Sequence, residues 1–327
     1  MRVGGRPRAD RETPSRHTRR VSRSAPPAAA AGLIAPGPRD ATLLAVAVAG
    51  VSFSGPLMAA TAAPALAIAF WRNGAGALAT VVVALRRPAS LRAIRRAPAS
   101  ALRATLLAGA LLGAHFGTWV PSLTMTSVAS ATAMVSSQAI FAALIARRRG
   151  MAVRRGAWIG IAVSVAGVVL VTGVDVSLSA RAALGDLLAL GAGLAAALYM
   201  TVGSHARQHL GAAPYTIVCY FTAAGTLLVA CLVGGQSLGG YSADAWWKIA
   251  AVTVAAQLLG HTLMNVVVAT TSPTVVALAL LLEVPGAALI AYLWLGQRPP
   301  LSALPGLVMI IGGLVAVTRA GATEPAG

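Results

Sequence analysis

Acidic side chains are scarce in this chain. Eight Asp and Glu stand against 26 Lys and Arg in 327 residues. Of the eight, only Glu283 lies deep inside an apolar run. Lysine is nearly missing too, with Lys248 alone against 25 arginines. No aspartate-rich metal motif is present, and neither an H-E-x-x-H run, a phosphate loop nor a nucleophile–base arrangement can be found. The chain is therefore not read as an enzyme, and no catalytic residue, metal or cofactor is expected. His205 and His209 are four apart but fall in a basic loop without acidic partners. Cysteine is limited to Cys219 and Cys231. In one helix at ~1.5 Å per residue they lie about 18 Å apart, too far for a disulfide. No second Cys or His stands at ligand spacing from either.

What is abundant is hydrocarbon. Hydrophobic residues make up 57% of the chain, charged residues 10%, and the mean hydropathy is +0.77. Spread over many segments, such values describe an all-α polytopic membrane protein. From Asp40 onward ten apolar segments of spanning length follow one another, near 41–60, 64–85, 103–123, 127–146, 156–173, 184–203, 214–233, 247–268, 273–295 and 301–318. Residues 1–39, rich in Arg, Pro, Ala and Ser, read as a disordered basic tail. A signal peptide is the rival reading of "AAAAGLIA", but that apolar run is short and bracketed by prolines. Residues 319–327 form a second, short tail.

The net charge of +18 invites a nucleic-acid reading, which its distribution opposes. Twenty-two of the 26 basic residues fall in the tails and alternate loops on one side. Arg181, Lys248 and Arg298 fall on the other, and Arg72 within a helix. Positive-inside bias accounts for this pattern and places both termini in the cytoplasm, in a cell-membrane protein.

Glu283 sets the functional reading. A carboxylate at mid-bilayer depth costs roughly 2.5–3.5 kcal/mol on insertion scales, so it marks a functional site by default. It is read as a group that exchanges protons or holds a substrate amine; a helix-packing hydrogen bond is the plainer alternative. Thr271 and Ser272 are placed to cap the helix that carries it, with Pro273 in the first turn. Pro285 cannot donate to the Leu281 carbonyl, which leaves an acceptor free near the carboxylate. On the preceding helix Gln257, His261 and Asn265 recur every four residues and are expected to share one face. They line a cavity or serve as interhelical glue. His115, Trp119 and Ser122 repeat this on the third helix, where a Trp can meet a cation or ring or simply pack. Arg72 can counter a substrate carboxylate, pair with Glu283 or bind backbone carbonyls. Tyr199 is a further cavity candidate, with core packing as its ordinary role.

The chain also repeats itself. "TSVASATAMVSSQAIFAALIA" from Thr126 aligns without gaps on "TSPTVVALALLLEVPGAALIA" from Thr271, placing Glu283 on Gln138. At an offset of 146, Gly160 falls on Gly306 and Gly167 on Gly313. Five helices per unit is odd, so residues 40–174 and 184–318 would insert with opposite topology. Ten transmembrane helices in two inverted five-helix repeats, with a midplane site between them, are a signature of secondary transporters.

These segments resemble the ten-helix, EamA-type branch of the drug/metabolite transporter superfamily. The likeness is strongest in "LLGHTLMN" and "SPTVVALALLLEVPGAALIAYLWLGQRP", and extends to "AHFGTWVPSLTMTSVASATAMVSSQ", "FWRNGAGAL" and "GDLLALGAGLAAALYMTVG". It covers about residues 40–318. Family members usually end helices 4 and 9 with Gly-Glu-Arg; here Gly296-Gln297-Arg298 and "ARRRG" stand instead. The resemblance implies a secondary active transporter, an exporter of a small metabolite, amino acid or drug-like solute. Its expected partners are that solute, protons, the lipid bilayer and a second copy as a homodimer, not nucleic acid. A lipid-linked carrier flippase would need a basic head-group site, for which Arg72 is the only buried cation. A membrane-embedded enzyme or sensor would need acids clustered at one membrane face, where only single ones occur.

Overall fold

The computed structural model describes residues 1, 33–126, 131, 134–172, 179–295 and 303–322. Its elements are all helical among these residues. In chain order they are α1 (Pro38–Ala59), α2 (Ala65–Leu85), α3 (Pro88–Arg95), α4 (Ala99–Ser122), α5 (Gln138–Arg148), α6 (Arg155–Thr172), α7 (Ala180–Arg207), α8 (Ala212–Val233), α9 (Ala243–Val267), α10 (Pro273–Trp294) and α11 (Ala303–Ala322). Seven of them, α1, α2, α4, α7, α8, α9 and α10, are long and apolar enough to cross a membrane. α6 and α11 hold shorter apolar stretches, and α3 is a short basic helix with no buried residue. Gly296-Gln297-Arg298 and most of the first half's aligned segment before Met134 lie outside the described residues.

Proline and glycine inside these helices do not break them, because hydrocarbon leaves the backbone no partner but itself. Buried hydroxyls follow the same rule. Thr80, Thr105, Thr201 and Thr253 each donate to the carbonyl four residues earlier in their own helix.

Small residues let the helices approach closely where packing, not water, drives association. α6 and α11 show this most sharply. A Cβ on Gly160 would stand 2.6 Å from the Gly313 carbonyl oxygen, and one on Gly167 2.6 Å from that of Gly306. Between these crossings Ser164 Oγ donates to the Ile310 carbonyl at 3.2 Å. α4 lies along α7 and α8, α2 along α8, and α1 along α9.

The turn between α9 and α10 departs from expectation. Pro273 does open the helix, but the Ser272 hydroxyl makes no cap bond. It accepts instead from the Ile34 amide at 2.5 Å, while the Ser272 amide donates to the Ile34 carbonyl at 3.1 Å. Thr271 Oγ1 has no partner among the described residues. Residues 33–37, assigned to the tail by composition, are thus tied to this turn, and Leu33 is buried.

Besides the turn at Phe53 that divides α1, two helices are interrupted. In α9 residues Thr253–His261 form a π-helical segment. In α10 a 3₁₀ turn, Leu280–Leu282, precedes Glu283. Pro285 explains the second break, because its missing N–H leaves Leu281 without its usual donor. Such interruptions inside membrane helices occur where the backbone is sheltered by protein or lines a cavity.

Candidate functional site

The interruptions face one cavity. It is lined by side chains of α1, α4, α7, α9 and α10, with Gln138 of α5, and its volume is about 40 Å³. A water needs roughly 10–15 Å³ of such space, so this is a narrow chamber with room for a few waters. Glu283 lines it, together with Ser54, His115, Phe116, Trp119, Gln138, Tyr199 and His261.

Glu283 opens the segment that follows the break in α10, and Gln138 opens α5. The two residues that the internal repeat superposes are therefore both helix-starting residues on the same chamber. Among the described residues no side chain hydrogen-bonds Glu283, and the one ion pair, Lys248 with Asp244, lies elsewhere.

The rings form a wall. His115 stacks on Trp119 with centroids 5.9 Å apart and 13° between planes. Phe116 meets His261 edge-on at 5.2 Å, and Tyr199 lies 6.4 Å from His261. His115 Nδ1 is 3.1 Å from the Ala192 carbonyl, which fixes the ring. Trp119 Nε1 and His261 Nδ1 are buried without a partner among the described residues. Ser122, the third member of the expected α4 stripe, is absent from the lining and donates to the Trp119 carbonyl at 2.6 Å.

Arg72 stands behind this wall, fully buried. Its Nε donates to Gln257 Oε1 at 3.0 Å and its Nη1 to Ser54 Oγ at 3.1 Å. The guanidinium also sits 4.2 Å over the Phe116 ring, a cation–π contact. Nη2 has no partner. Gln257 Nε2 in turn donates to Asn73 Oδ1 at 2.9 Å, and Asn73 Nδ2 to the Ala69 carbonyl at 2.8 Å. Arg72 forms no ion pair with Glu283, one of the roles the sequence left open to it. Its partners are neutral side chains rather than the backbone carbonyls of another reading.

The polar stripe of α9 does not act as one face. Gln257 turns to α2, His261 to the cavity, and Asn265 to Tyr199, whose hydroxyl donates to its Oδ1. The reason is the π segment, whose i→i+5 bonding departs from the 3.6-residue period behind the expected stripe. The Thr262 amide bonds the Gln257 carbonyl five residues back, and that carbonyl also accepts from Tyr220 at 3.1 Å. Of the nine candidate residues, Glu283, His261, His115, Trp119, Gln138 and Tyr199 line the cavity. Arg72, Gln257 and Asn265 support it from behind.

Ser54, Phe116 and Asn73 escaped the sequence reading. Asn73 follows Arg72 directly, and a second polar residue beside a mid-helix arginine was its available signal. Ser54 and Phe116 carry none, because nothing local separates them from ordinary helix residues.

Residues 183–319 match the EamA-like transporter family. No curated protein matches the chain. One solved crystal structure, titled only as that of a protein, shares the fold with a TM-score of 0.73 at 14% identity. The alignment covers 88% of this chain and 99% of that one. At such identity the likeness speaks for fold alone. With a second half that matches the EamA-like transporter family and helices of spanning length in both halves, the chain is a multi-pass membrane protein.

Proposed function

We propose that the protein is a secondary transporter of ten membrane helices in two inverted repeats, exporting a small organic solute through the cavity at Glu283 by alternating access. One observation carries the reading. The sequence superposes Gly160 on Gly306 and Gly167 on Gly313, while in space Gly160 packs on Gly313 and Gly167 on Gly306. Equivalent positions thus exchange partners, the pattern of an isologous contact about a two-fold axis. The axis falls at Ser164 and Ile310, themselves superposed by the same offset and hydrogen-bonded. Such a relation supports units of opposite topology, residues 40–174 and 184–318, that rock about a shared site. The ten spans include α5, α6 and α11 despite their short described or apolar stretches.

The narrowness of the cavity supports a closed arrangement that widens toward each side in turn. Glu283 is the group through which protons would couple. A pH gradient then drives accumulation by the wild type and not by Glu283→Gln. The engagement of Arg72 speaks against a lipid-linked carrier flippase, which would need that cation for a head group. The cell membrane is the expected site, with both termini inside.

Alternating access is tested with a cysteine at Ala196, which lines the cavity. Cys219 and Cys231 are replaced by alanine in the background. A charged thiol reagent is expected to reach Cys-substituted Ala196 when added from either face of sealed, orientation-sorted vesicles. Labelling from one face only, under all solute and pH conditions, overturns the reading.

A further inference from the structure

The cavity carries a carboxyl group that no described side chain bonds, inside a wall of rings. Glu283 accepts no hydrogen bond from any described side chain, and the ring-bearing lining residues His115, Phe116, Trp119, Tyr199 and His261 surround the same space. A carboxylate in such a place needs a donor, and a charged donor serves best because water is scarce there. The neighbouring cation does not fill the role. Arg72 is absent from the lining, is bound to Gln257 and Ser54, and lies against the Phe116 ring. Two further groups wait for partners, Trp119 Nε1 and His261 Nδ1, both on lining side chains.

We infer that the solute is a singly charged organic amine with a compact apolar or aromatic body, its ammonium on Glu283 and its body against the ring wall. The inference rests on the transport reading of this cavity and narrows it. An anion would bring a second negative charge beside an ionised Glu283, while the nearest cation, Arg72, is absent from the lining. A zwitterion would carry its carboxylate into the same difficulty. A cation is met by Glu283 in its ionised form, and rings attract it through their faces as well. The amine head matches the present chamber, and the body enters as the chamber widens.

The test uses three molecules of one shape and different charge: 2-phenylethylamine, phenylalanine and 3-phenylpropanoate. Each is titrated by calorimetry into the full chain in lipid nanodiscs at pH 7. We expect the amine to bind at least about tenfold more tightly than either of the others, the scale of one charge-assisted hydrogen bond. Glu283→Gln is expected to lose the amine's advantage while its unfolding midpoint holds. Equal or tighter binding of the acid or the zwitterion overturns the inference. So does unchanged amine affinity in a folded Glu283→Gln protein, or binding of none of the three. Should that variant fail to fold, the three titrations on the unaltered chain decide. Failure here leaves the two-sided thiol labelling of the preceding section untouched, and failure there is seen without any ligand.

Discussion

At the scale of single residues, the most constrained group is Arg72. A buried guanidinium is tolerated where its donors are met, and removing one partner leaves an unpaired charge in low dielectric. Gln257 holds both Arg72 and Asn73, so it couples α9 to α2. Gln257→Leu is expected to lower stability by about 1–3 kcal/mol, the cost of stranding buried polar groups. Arg72→Met removes the charge itself. The double variant should therefore be more stable than the sum of the two single losses predicts, by roughly 0.5–3 kcal/mol. Reversible unfolding of all four proteins in the same detergent measures that coupling, and additive losses would show that the two side chains act independently. Much of this was legible early. A mid-helix arginine and a periodic Gln257, His261 and Asn265 announced a polar centre. What stayed hidden was their mutual arrangement, since partners 184 or 185 residues apart leave no local trace.

At the scale of elements, helix existence was legible and helix interruption was not. Apolar runs and turn residues placed the long spans well: 64–85 became α2 at Ala65–Leu85, and 214–233 became α8 at Ala212–Val233. Hydropathy cannot register a change from i→i+4 to i→i+5 bonding, so the π segment of α9 went unseen and its stripe was read as one face. Pro285 marks a free Leu281 carbonyl in the sequence, because proline removes a donor wherever it stands, but the 3₁₀ turn at Leu280–Leu282 appears only in the structure. The glycines of α6 and α11 were legible as a repeat, while their exchanged pairing appears only in space. That pairing makes a sharp prediction. A Cβ at Gly167 would meet the Gly306 carbonyl oxygen at 2.6 Å and the Ile310 amide at 2.9 Å, both backbone atoms. Gly167→Ala should therefore destabilise by about 1–3 kcal/mol through overpacking. Gly312→Ala is the control, because nothing lies within 4 Å of its Cβ. It should be neutral or gain up to ~1 kcal/mol from helix propensity. Equal thermal shifts in the two variants would remove the close crossing from the account.

For the whole molecule the question is which pole faces the cytoplasm. Contacts sort the loops into two groups. Arg92 and Arg96 share a cleft with His209, and Ile34 is bonded to Ser272. At the opposite helix ends Arg181 donates to the Thr124 carbonyl, Lys248 to that of Ala60, and Trp71 to that of Leu238. The first group has the arginine-rich α3 and its flanks; the second has Arg181 and Lys248, the latter already paired with Asp244. Positive-inside bias predicts that the first pole faces the cytoplasm. Reporter fusions after Arg96, Arg149 and His209 should then be fluorescent with a reporter that matures only inside, and silent with an enzyme that works only outside. Fusions after Arg181 and Tyr241 should show the reverse. Arg181 carries the most weight, because it opens the second unit: if the first unit crosses the membrane an odd number of times from an inside start, the second must begin outside. A cytoplasmic signal after Arg181 would mean an even number of crossings before it. The two units would then share one topology, and the exchanged glycine contacts of α6 and α11 would need an explanation other than a two-fold axis in the membrane plane.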